Sequence, residues 1–482
     1  MKPAVILSAL ALSACSMVPR LDRPAPPVPE SWPVGDAYLR NSEASLAHVD
    51  FRDVFRDDRL QRVIESALTN NRDLRIAAAN IETARAQFGI QRAAELPRIT
   101  ANTSVTESDS GTGRTNNNGS PVVGGLRTNY SISAGLSAFE IDLFGRLRAQ
   151  SDAAKNRFFA TEAGARATRL SLVASVATAW LNYAADQSLL TLAEQTAANA
   201  ARRVQLAEAR LRGGIAPRSD LTQAQAILAT AEADVANQQT LVAQDTNALT
   251  LLVGAPVGAA LLPASIDDGA AQLAELPAGL QSTILLRRPD VVQAEYSLRA
   301  ANAQIGAARA ALFPTISLTA IGGLASNGLS RLFTGGAFNF TATPNVGYTL
   351  FQGGAAKAAV RQSQAQRGAA IATYEKAIQT AFREVADALA RRGTIDDQVR
   401  ANDALVTASA ETYRLADARY RGGIDPFLSS LDAQRSLYTA QRTAIATMLA
   451  KAANLVTLYR VLGGDAQLEA GSKGPEPALT RE

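Results

Sequence analysis

Histidine and cysteine are almost missing from this sequence: its 482 residues include one of each, His48 and Cys15. That scarcity excludes disulfides, most metal sites and any catalysis built on a histidine base. Aromatic residues make up only 5%, although 47% of the chain is hydrophobic and its mean hydropathy is near zero. Alanine carries much of the apolar share, which suits closely packed helices better than a thick globular core. No basic run exceeds two residues, and 48 basic against 44 acidic residues leave a net charge of +4. A nucleic acid would find no footprint here. No nucleophile–base constellation is legible either, so neither an enzyme nor a metal or other cofactor is expected.

The single cysteine has a context. Met1-Lys2 is a minimal basic start, and Ala4–Ala14 is an apolar stretch too short to span a bilayer. It ends in Leu12-Ser13-Ala14-Cys15, which resembles the bacterial lipoprotein box. Residues 1–14 are therefore expected to be a signal peptide, and Cys15 to carry a covalent lipid. Ser16 after the cysteine resembles an outer-membrane address. An ordinary secretory signal ending on a chance cysteine is the rival. Pro19–Pro33 holds six prolines in fifteen residues, so residues 15–49 are expected to be an extended spacer. Residues 465–482 are polar and are expected to be disordered.

Between these ends the chain repeats itself. LAEARLRGG (Leu206–Gly214) returns as LADARYRGG (Leu415–Gly423), each followed by Ile-x-Pro. ARAQFGIQRAAELPRI (Ala84–Ile99) returns as ANAQIGAARAALFPTI (Ala301–Ile316). The body therefore divides into copies over residues 50–275 and 276–464, each far longer than a solenoid repeat. Proline is absent from both Arg146–Arg212 and Ala355–Arg421. A helix of 67 residues would be about 100 Å long, a rod that suits coiled coils. Return helices are expected at about 217–254 and 426–462. In the first, Leu221, Leu228, Val235, Val242 and Leu249 recur every seven residues, with Ala224, Ala231, Gln238, Asp245 and Leu252 at the other seam position. Each Arg-Gly-Gly-Ile-x-Pro then reads as a hairpin tip, glycine ending one helix and proline opening the next.

Period-two patterning marks strands at about 98–107, 128–142, 314–323 and 338–351. Tyr130, Ile132, Ala134, Leu136 and Ala138, for example, alternate with Ser131, Ser133, Gly135 and Ser137. About ten alternating residues cross a membrane when tilted, although a soluble sheet packed on one face has the same pattern. Four strands cannot close a barrel, and open edges in lipid cost several kcal/mol per unpaired group. Oligomerisation is therefore required, and pattern alone does not choose between a dimer and a trimer.

Two such helix–strand–strand–long helix–helix copies resemble the outer-membrane factor family, the TolC-like exit ducts of tripartite efflux pumps and type I secretion systems. The resemblance rests on Asp58–Leu74, FEIDLFGRLR (Phe139–Arg148), RRPDV (Arg287–Val291) and YRGGIDPFLSSLDAQRSLYTAQ (Tyr420–Gln441). It spans Asp50–Gly464, and the lipobox resembles that of the OprM/NodT-type lipoproteins. It implies a mixed α+β membrane protein: a homotrimer whose four strands per chain form a twelve-stranded outer-membrane barrel, continued by a periplasmic coiled-coil barrel. Short helices near Asp57–Asn70 and Gly279–Arg287 would form an equatorial belt. The implied partners are outer-membrane lipid, a periplasmic adaptor and an inner-membrane pump, and the implied cargo is drugs or other small toxic compounds. A type I secretion duct is the alternative within the family, and a lipid-anchored periplasmic scaffold without a barrel is the alternative outside it.

The resemblance also implies site residues. Family members meet their adaptors tip to tip, which points to Arg212, Gly213, Gly214 and Ile215 and to Arg421, Gly422, Gly423 and Ile424. Leu428 and Asp432, four apart and so on one helix face, match the family's periplasmic constriction and are expected to form its gate, with Asp220 as the alternative region. His48 reads as a surface or packing residue. Asp142 reads as a helix-start carboxylate paired with Arg146 at i+4, and Glu140 as either lumen-facing or structural.

Overall fold

A computed structural model describes residues 16–29, 31–33, 50–109, 126–274, 282–466, 470–471 and 474–475. Cys15 and His48 lie outside them. The described elements are α1 (Phe51–Val54), α2 (Asp58–Asn70), α3 (Arg72–Ala93), β1 (Ile99–Asp109), β2 (Leu126–Glu140), α4 (Arg146–Arg212) and α5 (Arg218–Val253). They continue with α6 (Ile266–Ala270), α7 (Pro289–Ala310), β3 (Thr315–Ser326), β4 (Phe338–Gly347), α8 (Ala355–Arg421) and α9 (Phe427–Val461). Both 67-residue helices begin and end where proline and glycine punctuate the sequence.

The chain forms two compact units. One contains Ile81–Ala160 and Tyr296–Thr373 with the N-terminal stretch to Arg23. Its sheet runs β1-β2-β3-β4, every neighbouring pair antiparallel. The register places Val105 opposite Tyr130, Thr103 opposite Ile132, Ile132 opposite Leu324, and Leu324 opposite Phe338. Opposite residues share a face, so one face is mainly apolar, with Thr103 in it, and the other carries Ser104, Ser131 and Ser133. Every residue of β4 is exposed, including Phe338, Phe340 and Val346.

β2 departs from simple alternation. A register shift falls between Leu136 and Phe139, where Ala138 has φ 51° and donates its N–H to Thr319 Oγ1 at 3.1 Å. The bulge takes up one residue, so Ala138 leaves the apolar row and Phe139 joins it opposite Leu318. Period-two counting cannot detect an inserted residue. β4 also stops at Gly347, short of the expected 351, and β3 runs on to Ser326. In the same unit Val18 packs against Gly306, and Asn302 Nδ2 donates to the Pro19 carbonyl at 2.8 Å, so the proline-rich segment begins as a strap on α7.

The second unit holds Pro24–Asn80, Thr161–Glu295 and Tyr374 onward. Its principal core joins Phe51, Phe55, Leu60 and Ile64 from the first two helices to Trp180 and Leu181 on α4, Leu249 on α5 and Tyr459 on α9. Asp57 caps α2, accepting from the Arg59 and Leu60 amides, and Arg59 reaches across to Asp268 with two contacts of 3.0 Å. Arg288, within the RRPDV segment, is buried against Asp290 (2.7 Å), Glu384 (2.9 Å) and the Val461 carbonyl (2.9 Å), which makes that motif a structural anchor.

One expectation changes here. Asp465 was expected to begin a disordered tail; instead it pairs with Arg169 at 2.5 Å and accepts from Tyr459 Oη at 2.8 Å. Burial and this carboxylate push the Tyr459 hydroxyl above its ordinary pKa. Short strands follow at Ala470–Gly471 and Gly474–Pro475. The seam of α5 matches its reading from the sequence: Ala224, Ala231 and Gln238 are buried, as is Leu249 of the larger set, while Leu221, Leu228, Val235 and Val242 are half-buried. Small side chains occupy the closest helix approach and the larger ones flank it.

Candidate functional site

The two tips are built alike. After Arg212 the chain turns through Gly213 and Gly214. The Gly214 amide donates to the Leu211 carbonyl and the Ile215 amide to the Arg210 carbonyl, both at 3.0 Å. Gly214 has φ +71°, the left-handed conformation this Schellman turn requires. Gly423 (φ +74°) and Ile424 repeat the pattern with Tyr420 and Arg419 as acceptors. Pro217 and Pro426 then occupy the positions just before α5 and α9. Ile215 and Ile424 stand exposed. The second tip is braced by a bidentate Arg419–Asp425 pair at 2.6 and 2.9 Å. At the first tip Ala216 stands in the place of Asp425, and Arg210 instead donates to the Tyr420 carbonyl and lies over its ring.

Beneath the tips Ala207, Ala224, Tyr420 and Phe427 form a small core. One turn farther from the tips, Arg203 of α4 gathers three elements. Its guanidinium donates to Asp417 Oδ1 at 2.6 Å and Tyr413 Oη at 2.8 Å on α8, and to Ser430 Oγ at 3.2 Å on α9. Arg421 adds a second cation to Asp417 at 2.8 Å. Ser430 is fully buried and sits midway between Leu428 and Asp432. Those two side chains are exposed on the same face, away from buried Phe427, Ser430 and Leu431. Sequence reasoning did not find the Arg203 hub, because its members are separated by 210–227 positions.

Asp142 is a helix-start carboxylate as expected but without Arg146 as its partner, and Glu140 takes the structural one of its two expected roles. Asp142 accepts from the Arg148 backbone amide at 2.9 Å, a capping role, while Arg146 pairs with Glu140 at 2.5 and 2.8 Å. Glu140 is the arginine's partner because the bend at 141–145 brings it to the start of α4. Asp220 is half-buried in the first turn of α5. Further along, Asp245 on α5 meets Asp186 on α4; burial and that neighbouring carboxyl raise the Asp245 pKa to about 7. The polar residue in the α5 seam was the visible signal for this pair. Among the described residues no cluster of metal-ligating side chains occurs.

The profile described as "Outer membrane efflux protein" matches residues 63–255 and again 280–464. The chain belongs to the outer membrane efflux protein family. TtgC of Pseudomonas putida, a probable efflux pump outer membrane protein, is 42% identical to this efflux protein over 466 residues, 95% of this chain and 94% of its own length. A membrane protein from Pseudomonas aeruginosa superimposes with a TM-score of 0.86 at 37% identity, covering 93% of this efflux protein and 100% of that chain. The Neisseria gonorrhoeae MtrE outer membrane channel, solved in its open state, gives 0.82 at 34% identity over 94% and 99%. The fold of this efflux protein is that of these outer-membrane channels, mostly helical with one four-stranded sheet per chain.

Proposed function

We propose that three copies of this chain assemble into a passive exit duct, a twelve-stranded barrel in the outer membrane opening into a helical periplasmic tunnel. The observation that carries it is the four-stranded sheet with one apolar face and two open edges, β1 and β4. In lipid those edges must be paired, and three copies closing edge to edge pair all of them. The exposed phenylalanines of β4 then meet hydrocarbon, and the serine-bearing face meets water. The paired matches of the family profile and the matching element order support descent from a duplicated unit, residues 50–275 and 276–464. Residues 1–14 act as the signal peptide, and Cys15 bears the lipid.

Cargo enters from an inner-membrane pump and a periplasmic adaptor that grips the tips Arg212–Ile215 and Arg421–Ile424. Leu428 and Asp432 form stacked rings, one apolar and one acidic, that close the duct. TtgC is described as a probable efflux pump protein in one Pseudomonas putida strain, and the TtgC of another strain as a toluene efflux pump protein, which favours small organic cargo over proteins. The protein performs no chemistry on that cargo. The test is Cys15→Ala behind an ordinary signal peptide: trimers should still fractionate with the outer membrane, since a barrel anchors more firmly than acyl chains. A mutant soluble in the periplasm would overturn the barrel.

A further inference from the structure

The duplication places one strand joint inside the chain and leaves its counterpart open. Where β2 meets β3, Phe139 lies opposite Leu318 and Glu140 opposite Ser317. The Ile141 amide then donates to the Ile316 carbonyl at 2.8 Å, and the Phe144 ring stacks on Phe313 with centroids 4.7 Å apart. The repeat supplies a counterpart for each partner. Leu143-Phe144 returns as Leu350-Phe351, just as Leu96, Pro97 and Ile99 return as Phe313, Pro314 and Ile316. Val346, Gly347 and Tyr348 thus stand at the end of β4 where Phe139, Glu140 and Ile141 stand on β2. β4 and β1 are the two edges of the sheet. What the internal joint covers, these edges expose: Phe144 is half-buried, whereas Phe351 is 88% and Leu96 67% exposed. Pro344 points the same way. A proline has no N–H for a ladder and is tolerated in a strand at an edge or a bulge. Counted from the Leu-Phe pair, Pro344 takes the place of Ser137, which lies with Ala138 in the interruption of the β2–β3 ladder. A strand laid on β4 in the register of β3 therefore loses no hydrogen bond there.

We infer that β4 of one copy joins β1 of a second copy in the register of the internal β2–β3 joint. Val346 lies opposite Ala101 of the second copy and Gly347 opposite its Thr100. The Tyr348 amide donates to the Ile99 carbonyl, and the Phe351 ring seats on Leu96. The inference rests on the barrel reading for the presence of a joint, and adds the register and the aromatic seat. Val346 shares its face with Phe338, and Ala101 shares its face with Thr103 and Val105, so both lie on the mainly apolar face. This register therefore keeps that face aligned from copy to copy, whereas a slip of one residue would turn Val346 against the opposite face of its neighbour.

The test is disulfide linking in the full-length protein, whose only native cysteine is Cys15; the unmodified chain is the control. Gly347→Cys is combined with Thr100→Cys. A Cβ at Gly347 meets only Thr315 Oγ1, at 3.4 Å, so the strand accepts it. Within one chain these positions lie three strand spacings apart, roughly 14 Å, beyond the reach of a disulfide. Mild oxidation should therefore link separate copies, giving covalent dimers and trimers on a denaturing gel. Gly347→Cys with Ser104→Cys, four residues along β1, should link at least about tenfold less. A second variant needs no disulfide: p-benzoylphenylalanine in place of Phe351 should attach under illumination to the Glu95–Arg98 segment of another copy. Equal linking at Ser104, or attachment of the photoprobe elsewhere, in particles whose native mass is that of a trimer would overturn the register and leave the duct standing. A native mass of one chain would overturn the register together with the barrel reading beneath it.

Discussion

Replacing Arg203 by methionine should loosen the helix that carries Leu428 and Asp432. Methionine keeps the unbranched stem and much of its packing, so the change removes chiefly the guanidinium. That group makes contacts of 2.6 Å with Asp417, 2.8 Å with Tyr413 and 3.2 Å with Ser430. A hydrogen bond to a charged group contributes about 1.5–3 kcal/mol, and breaking a buried ion pair costs about 3–5 kcal/mol when it leaves the partner bare. Asp417 is not left bare, because Arg421 still lies 2.8 Å from it. The net loss to the hub as a whole is therefore about 2 kcal/mol, but Asp417 and Tyr413 lie on α8, and only the Ser430 contact, about 1 kcal/mol or about fivefold, bears on the first turn of α9. Ser430→Ala removes only the weaker contact and should give about fivefold. Single-channel recording in planar bilayers reads both variants: openings should be about fivefold more frequent than in the wild type in each. If Arg203→Met trimers open no more often than the wild type, the hub does not hold α9.

Bulky replacement at the tips, Gly213→Trp with Gly422→Trp, should abolish efflux in a drug-susceptibility assay while trimers and membrane insertion persist. A Cβ at either position meets nothing nearer than 3.4 Å, so the fold tolerates it; normal efflux would place adaptor docking elsewhere. Leu428→Ala with Asp432→Ala should raise single-channel conductance and weaken cation preference. Unchanged values would move the constriction toward Asp220. Asp245→Asn should flatten the dependence of stability on pH. A carboxyl held neutral to about pH 7 means that the folded chain binds this proton more tightly than the unfolded one, so wild-type stability falls as pH rises from about 4 to about 7 and is level above. The full difference would be about 4 kcal/mol, and partial access of water reduces it to about 1–2 kcal/mol. Denaturant melts at pH 5 and pH 8 check this, and an equal fall in the variant would exonerate the pair.

Much of this protein was legible before any coordinates. Proline and glycine act on their own backbone, so the limits of both 67-residue helices, the two Gly-Gly tips and the breaks at Pro97 and Pro314 follow from local sterics alone. Heptad and period-two spacing likewise named the coiled-coil helices and all four strands to within a few residues, because those periods are imposed by helix and strand geometry. What only the tertiary structure decided is which groups meet across long separations. The bulge at Ala138 depends on β3 alongside it, and Asp465 is ordered by Arg169, 296 positions away. The Arg203 hub and the Asp186–Asp245 pair likewise exist only once α4, α5, α8 and α9 lie together.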